Sequence, residues 1–202
     1  GNGYRWLKET LLGRRASFAQ ADRLAQEVPA GAEGVTAFLG GGPSSMAQAG
    51  LRTGGLLFPV PLSFQEVTPG QLLRAALENI AYAARAHLAL LERVTGRRPQ
   101  TLDIGGGMAR SQLFTHILAD VLGRELRVCQ PTEVSARGAA LAAAVAAGHY
   151  SSLEEAVEGA AGDHLTVAPD PLASAEYQEH QQRWLEQYQG LGGPSRKERE
   201  EP

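Results

Sequence analysis

The chain has 202 residues, 43% of them hydrophobic and 20% charged, which is ordinary globular composition. Its 19 Lys and Arg against 22 Asp and Glu leave a net charge of −3, so it lacks the basic footprint of a protein that wraps nucleic acid. The single cysteine, Cys129, excludes an intramolecular disulfide framework and a cysteine-ligated zinc site.

Residues 4–12 carry Tyr4, Trp6, Leu7, Leu11 and Leu12 at helical spacing, and residues 16–28 repeat the pattern up to Pro29 and Gly31. Residues 35–39 suit a short strand and residues 40–50 form a loop of small residues. In residues 54–62 the first half reads as a strand, with Pro59 and Pro61 as its exit at a sheet edge. Thr68 caps a helix over residues 69–95, with Pro69 in its first position and Gly96 at its end. Its length and its apolar stripe (Leu73, Leu77, Ile80, Ala84, Leu88, Leu91) place it centrally.

A strand is expected at residues 101–104, three glycines follow at once, and residues 109–122 read as a helix stopped by Gly123. A second strand spans residues 125–129. An alanine-rich helix over residues 135–148 is narrow enough to pack close to its neighbours. A short helix over residues 153–160 is capped by Ser151 or Ser152, Thr166 and Val167 form a last extended piece, and residues 171–188 close with an amphipathic helix. This alternation of strands and helices argues for an α/β layer fold. One domain over residues 1–189 is expected, followed by a disordered tail of Gly, Pro and charge over residues 190–202. No leader pattern and no apolar run of membrane length are read, so a cytoplasmic protein with no membrane contact is expected.

The chemistry concentrates at Gly105, Gly106 and Gly107. Free N–H groups at a strand-to-helix turn, with no Cβ in the way, make a cradle for a phosphate or a flat nucleotide ring. No Gly-Lys-Ser or Gly-Lys-Thr occurs, and the dinucleotide fingerprint fails because Arg110 stands where its third glycine belongs. On this local pattern alone, a glycine turn that holds no ligand fits at least as well.

Longer segments add to the pattern. Arg74-Ala75-Ala76-Leu77-Glu78-Asn79-Ile80-Ala81 resembles the "RAxLExIA" helix of FGGY-type carbohydrate kinases. Gly105-Gly106-Gly107-Met108-Ala109-Arg110-Ser111, continuing to Ala119-Asp120 and Gly123, resembles their adenosine segment. Glu133 with Ala136, Gly138, Ala139 and Ala140 is similar to their "ExxAxGAA" helix. Residues 148–156 are similar to their "GxYxSLEEA" stretch, and Gly3-Tyr4-Arg5-Trp6-Leu7-Lys8 to the start of their second domain. One departure is clear: where the family has "PYLxGERxP", residues 38–45 lack the Glu-Arg pair.

The resemblance implies an actin-like (ribonuclease H-like) domain with a mixed sheet flanked by helices. It implies the ATP- or ADP-binding half of an enzyme that moves the γ-phosphoryl of Mg-ATP to a sugar or polyol hydroxyl. The catalytic aspartate and the sugar site would belong to a preceding domain, so this piece alone would be inactive. By position, Gly105, Gly106 and Gly107 would lie along the nucleotide and Ser111 would reach toward the base. Gly1, Tyr4 and Arg5 would line the other wall.

Other residues keep two readings each. Asp103 sits near metal-bound phosphates or caps the strand-to-helix turn. Glu78 supports the nucleotide loop or ties its helix into the sheet. Glu133 orients the loop before its helix or serves its own helix dipole. The five histidines show no metal spacing and read as surface or boundary residues, Cys129 as a small buried hydrophobe, and Trp6 and Trp184 as core or docking residues. The rival function is a non-catalytic actin-like module with a degenerate nucleotide site, kept for assembly, and a homodimer suits either reading.

Overall fold

A computed structural model describes residues 1–40, 51, 53–60, 66–130, 133–160 and 162–192. Two amphipathic helices open the chain, α1 (Asn2–Leu12) and α2 (Phe18–Gln26). A capping box between Ser17 and Gln20 starts α2. The two helices are tied together by the Tyr4 phenol, which donates to Asp22 Oδ1 at 2.8 Å, and by Tyr4 stacking on Phe18.

Strands β1 (Thr36–Phe38) and β2 (Gly55–Leu57) pair antiparallel, with Thr36 opposite Leu57. Helix α3 (Pro69–Thr95) follows, its first turn closed by a second capping box between Thr68 and Gln71. Its N-terminal half is buried on every face, since Leu73 through Asn79 are all enclosed. From Ala84 onward it is half-buried or exposed. The helix is therefore central over only half its length, because α1, α2 and β1 surround its beginning while its end projects past them.

A β-α-β unit comes next: β3 (Thr101–Ile104), α4 (Gln112–Leu122) and β4 (Glu125–Cys129), with β3 and β4 parallel. Two further helices, α5 (Val134–Ala146) and α6 (Leu153–Gly159), lead to β5 (His164–Val167), which adds antiparallel to β4. The order β3-β4-β5 is thus a mixed sheet. Helix α7 (Pro171–Gly190), capped by Asp170, returns across the core. Its Trp184 stacks on Phe38 and Tyr188, and the indole N–H donates to the Ala37 carbonyl at 3.0 Å.

Several expectations are corrected. The glycine run does not enter an α-helix at residue 109. A 3-10 turn over Gly107–Arg110 intervenes, and α4 begins only after Ser111, whose Oγ accepts from the Phe114 amide. The alanine-rich helix does not pack closely, since no residue of α5 is buried. Trp6 is 57% exposed, which removes it from the core, and Cys129 is half-buried. The last helix runs through Gly190, and the rest of the expected tail, residues 193–202, lies outside the described residues, as does most of the loop at residues 40–50.

One local conformation was not expected at all. After Pro29, four consecutive residues turn left-handed: Gly31, Ala32, Glu33 and Gly34, with φ of 76, 48, 51 and 88°. Two of them carry a Cβ, which this region penalises. The surroundings hold them there. Glu78 Oε1 accepts from the Gly31 amide at 3.0 Å, Gln71 donates to Glu33, and the Ala32 methyl is fully buried.

Candidate nucleotide site

The three glycines differ in what the protein itself requires of them. A Cβ on Gly105 would lie 2.5 Å from Val134 Cγ1, so this residue is glycine because α5 starts against it. Gly106 has φ 91° and ψ −179°, a backbone that only glycine adopts without strain. Gly107 has neither constraint: its φ is ordinary and a Cβ there would meet no protein atom within 4 Å. It is exposed, at the start of a turn that no side chain caps.

The surrounding side chains fix the turn. Arg110 pairs with Glu133 at the head of α5, so the far arm of the turn is tied to that helix. Asp103 does not cap the turn; its carboxylate is gripped by Arg127 on the neighbouring strand through two bonds of 2.7 and 2.8 Å. Opposite charges at one register position of a parallel pair satisfy each other across the sheet. Ser111 is half-buried, and with its oxygen already accepting from Phe114 its hydroxyl proton remains to donate.

Across from the turn lies the first turn of α1. A Cβ on Gly1 would sit 4.0 Å from Met108 Cγ, so the start of α1 and the glycine turn face each other at contact distance. Gly1, Gly105, Gly106, Gly107 and Ser111 are thereby brought to one edge of the molecule. Arg5 is exposed on the same helix, and its guanidinium makes no hydrogen bond or ion pair among the described residues. Tyr4 differs from expectation in its side chain: it is 2% exposed and its hydroxyl is spent on Asp22, so it holds α1 in place.

Glu78 lies deeper. Its carboxylate takes bonds from Arg74 Nε (2.8 Å), the Gly31 amide (3.0 Å) and the Tyr177 hydroxyl (3.3 Å). It ties α3 to the left-handed turn and to α7, and not to the sheet as expected. Burial raises its pKa above the usual carboxylate range even beside Arg74. Burial lowers that of Arg74, but Tyr177 and Glu78 outweigh it and the net direction is up.

Sequence reasoning missed a second feature beside α1. A cleft of about 440 Å³ opens between the first turn of α1, Leu39 and Gly40, and the middle of α3. Asn79 lines it; its Nδ2 donates to the Gly40 carbonyl at 3.3 Å, and its buried Oδ1 has no partner among the described residues. The signal was a lone amide between Leu77 and Ile80 in an apolar run.

Residues 1–147 match the profile of the FGGY family of carbohydrate kinases, C-terminal domain. The chain belongs to this family, as its C-terminal domain. Among FGGY relatives, the autoinducer-2 kinase of Klebsiella pneumoniae is 26% identical over 184 residues, covering 90% of this chain and 34% of that protein. The Escherichia coli K12 autoinducer-2 kinase is 34% identical over 118 residues, 58% of this chain and 22% of that protein. The xylulose kinase of Rhodospirillum rubrum superposes with a TM-score of 0.74 at 30% identity, over 95% of this chain and 38% of the other. The glycerol kinase of Plasmodium falciparum, solved with ADP, superposes with a TM-score of 0.70 at 18% identity, over 93% and 37%. The fold is therefore the actin-like fold of the FGGY kinases, and the chain spans about a third of the length of the full-coverage relatives.

Proposed function

We propose that this chain is the nucleotide-binding half of a carbohydrate kinase, which as a whole transfers the γ-phosphoryl of Mg-ATP to a sugar or polyol hydroxyl. The observation that carries this reading is Gly107. Its two neighbours are glycine for reasons internal to the fold, whereas Gly107 has space for a side chain and an ordinary φ. A ligand lying against the turn supplies the missing reason. The nucleotide fits there, with its phosphates at backbone amides, Ser111 and Arg5 as donors, and the start of α1 as the second wall.

Among the described residues no group of His, Cys, Asp and Glu stands close enough to hold a metal ion, and the nearest carboxylates, Asp103 and Glu133, are already paired with Arg127 and Arg110. In this reading the ion belongs to the nucleotide's phosphates and to the remainder of the enzyme. A cytoplasmic setting accords with that use of Mg-ATP.

Titration with Mg-ADP followed by amide shifts tests the reading. Saturable shifts at residues 105–111 and at Arg5 are expected. Gly107→Val is expected to remove them while leaving the melting temperature within a degree or two, because a Cβ there meets no protein atom within 4 Å. A Gly107→Val chain that binds ADP as well as the parent overturns the assignment. The assembly reading has one observation in its favour, the unburied alanine-rich face of α5. It predicts self-association that sedimentation finds unchanged by ADP.

A further inference from the structure

Behind the left-handed turn lies a second, much smaller cavity of about 10 Å³, room for a single water. Its wall includes Gly31 of the turn, Thr36 of β1, Glu78 and Tyr82 of α3, and His180 and Arg183 of α7. A Cβ on Gly31 would run into the His180 ring, so the glycine is what lets α7 close this side. Arg183 is the one exposed residue of the wall, and solvent reaches the cavity past it.

Two observations point to an occupant. Thr36 Oγ1 is buried and has no hydrogen-bond partner among the described residues. A buried hydroxyl left unpaired is a standing cost, which an arriving partner removes. The second observation is the uneven loading of the Glu78 carboxyl group. Its Oε1 accepts from Arg74 Nε, the Gly31 amide and the Tyr177 hydroxyl, at 2.8, 3.0 and 3.3 Å. Its Oε2 has one long bond among the described residues, from the Tyr82 hydroxyl at 3.4 Å. A carboxylate offers about four lone-pair sites over its two oxygens, so Oε2 keeps room for another donor.

Space and charge select what fits. A cation would meet Arg183 and also Arg74, which already holds Glu78. An anion would meet the Glu78 carboxylate, and either ion would have to shed its hydration to enter. Water avoids both costs. It also suits both forms of Glu78, whose pKa burial raises. With three donors crowding Oε1, the proton of the acid form belongs on Oε2. Water donates to that oxygen when it is ionised and accepts from it when it is protonated.

We propose that this cavity is a site for one ordered water, hydrogen-bonded to Thr36 Oγ1 and Glu78 Oε2. The Glu78 carboxyl, which already ties α3 to the left-handed turn and to α7, then reaches β1 through that water. The site is independent of the glycine turn and of any nucleotide bound there.

A high-resolution crystal structure of the 202-residue chain tests the proposal. One peak is expected within hydrogen-bond distance of both Thr36 Oγ1 and Glu78 Oε2. Thr36→Ser keeps the hydroxyl and should keep the peak. Thr36→Val keeps the shape, removes the hydroxyl and should lose the peak; valine suits a strand, so folding is not at issue. In solution, nuclear Overhauser transfer from a bound water to the Gly31 and Thr36 amides should appear in the parent and in Thr36→Ser, and fall to background in Thr36→Val. Crystals soaked in bromide or rubidium should show no anomalous signal at the site. An empty cavity in the parent, or a peak unchanged in Thr36→Val, overturns the proposal. An anomalous signal from either soak also overturns it, because the occupant is then an ion.

Discussion

Adjacent glycines in this chain answer to different forces, and substitution separates them. At Gly106 the backbone lies where a Cβ clashes with its own chain, so Gly106→Ala is expected to cost about 1–3 kcal/mol of stability. At Gly107 the same change should cost almost nothing in denaturant melts, and a bulkier one should act only on ligand binding. Glu78 makes a different prediction. Its carboxyl titrates above the ordinary range because it is buried, so the native state holds its proton at pH values where the unfolded chain has released it. Stability from this group is present below the unfolded value of about 4.3 and is lost as pH rises through the raised folded value. Glu78→Gln should flatten that part of the stability-pH curve. It should also lower stability near neutrality by about 3 kcal/mol, because Arg74, itself 8% exposed, loses its counter-charge. Equal pH slopes for parent and variant in urea melts would place the titration elsewhere.

Elements whose ends are written in local chemistry were legible in the sequence. Thr68, Pro69 and Gly96 gave α3 its observed bounds, and β3 and β4 match the expected runs residue for residue. The glycine run was legible as a turn after β3, but not as a 3-10 turn, since Ser111 and the residues before it allow either helix type. What escaped were features that depend on distant partners. The left-handed turn at Gly31–Gly34 exists because Glu78 and Gln71, some forty residues on, hold it. The Asn79 cleft exists because α1 and α3 meet. Helix α5 was misread for the opposite reason: alanine permits close packing but does not supply a neighbour. Its exposure makes a prediction. Gly138 lies in the helix interior with nothing within 4 Å of a Cβ. Gly138→Ala should therefore stabilise the chain by about 0.5–1 kcal/mol and raise the melting temperature by about 2 °C. A loss of stability in the thermal melt would mean that α5 packs more closely than its open surface indicates.

At the scale of the whole molecule, the question is whether a domain proposed to bind the phosphoryl donor can also transfer it. Transfer to a hydroxyl needs the two substrates aligned and a group that takes the hydroxyl proton as the bond forms. Around the glycine turn the two carboxylates suited to that task are both engaged, Asp103 by Arg127 in a two-point grip and Glu133 by Arg110. The deeply placed Glu78 is enclosed, with Oε1 taken by Arg74, Gly31 and Tyr177 and Oε2 by the Tyr82 hydroxyl. The chain should therefore bind Mg-ADP yet form no ADP from Mg-ATP above background with D-xylulose, D-gluconate or glycerol, read by a coupled assay of ADP release. Turnover by this chain would mean that one of these ion pairs opens when substrate arrives. The rate would then respond to whichever of Asp103→Asn and Glu133→Gln removes the base. Silence in that assay beside saturable ADP binding would separate the work of the two halves: the donor is held here, and the proton is taken elsewhere.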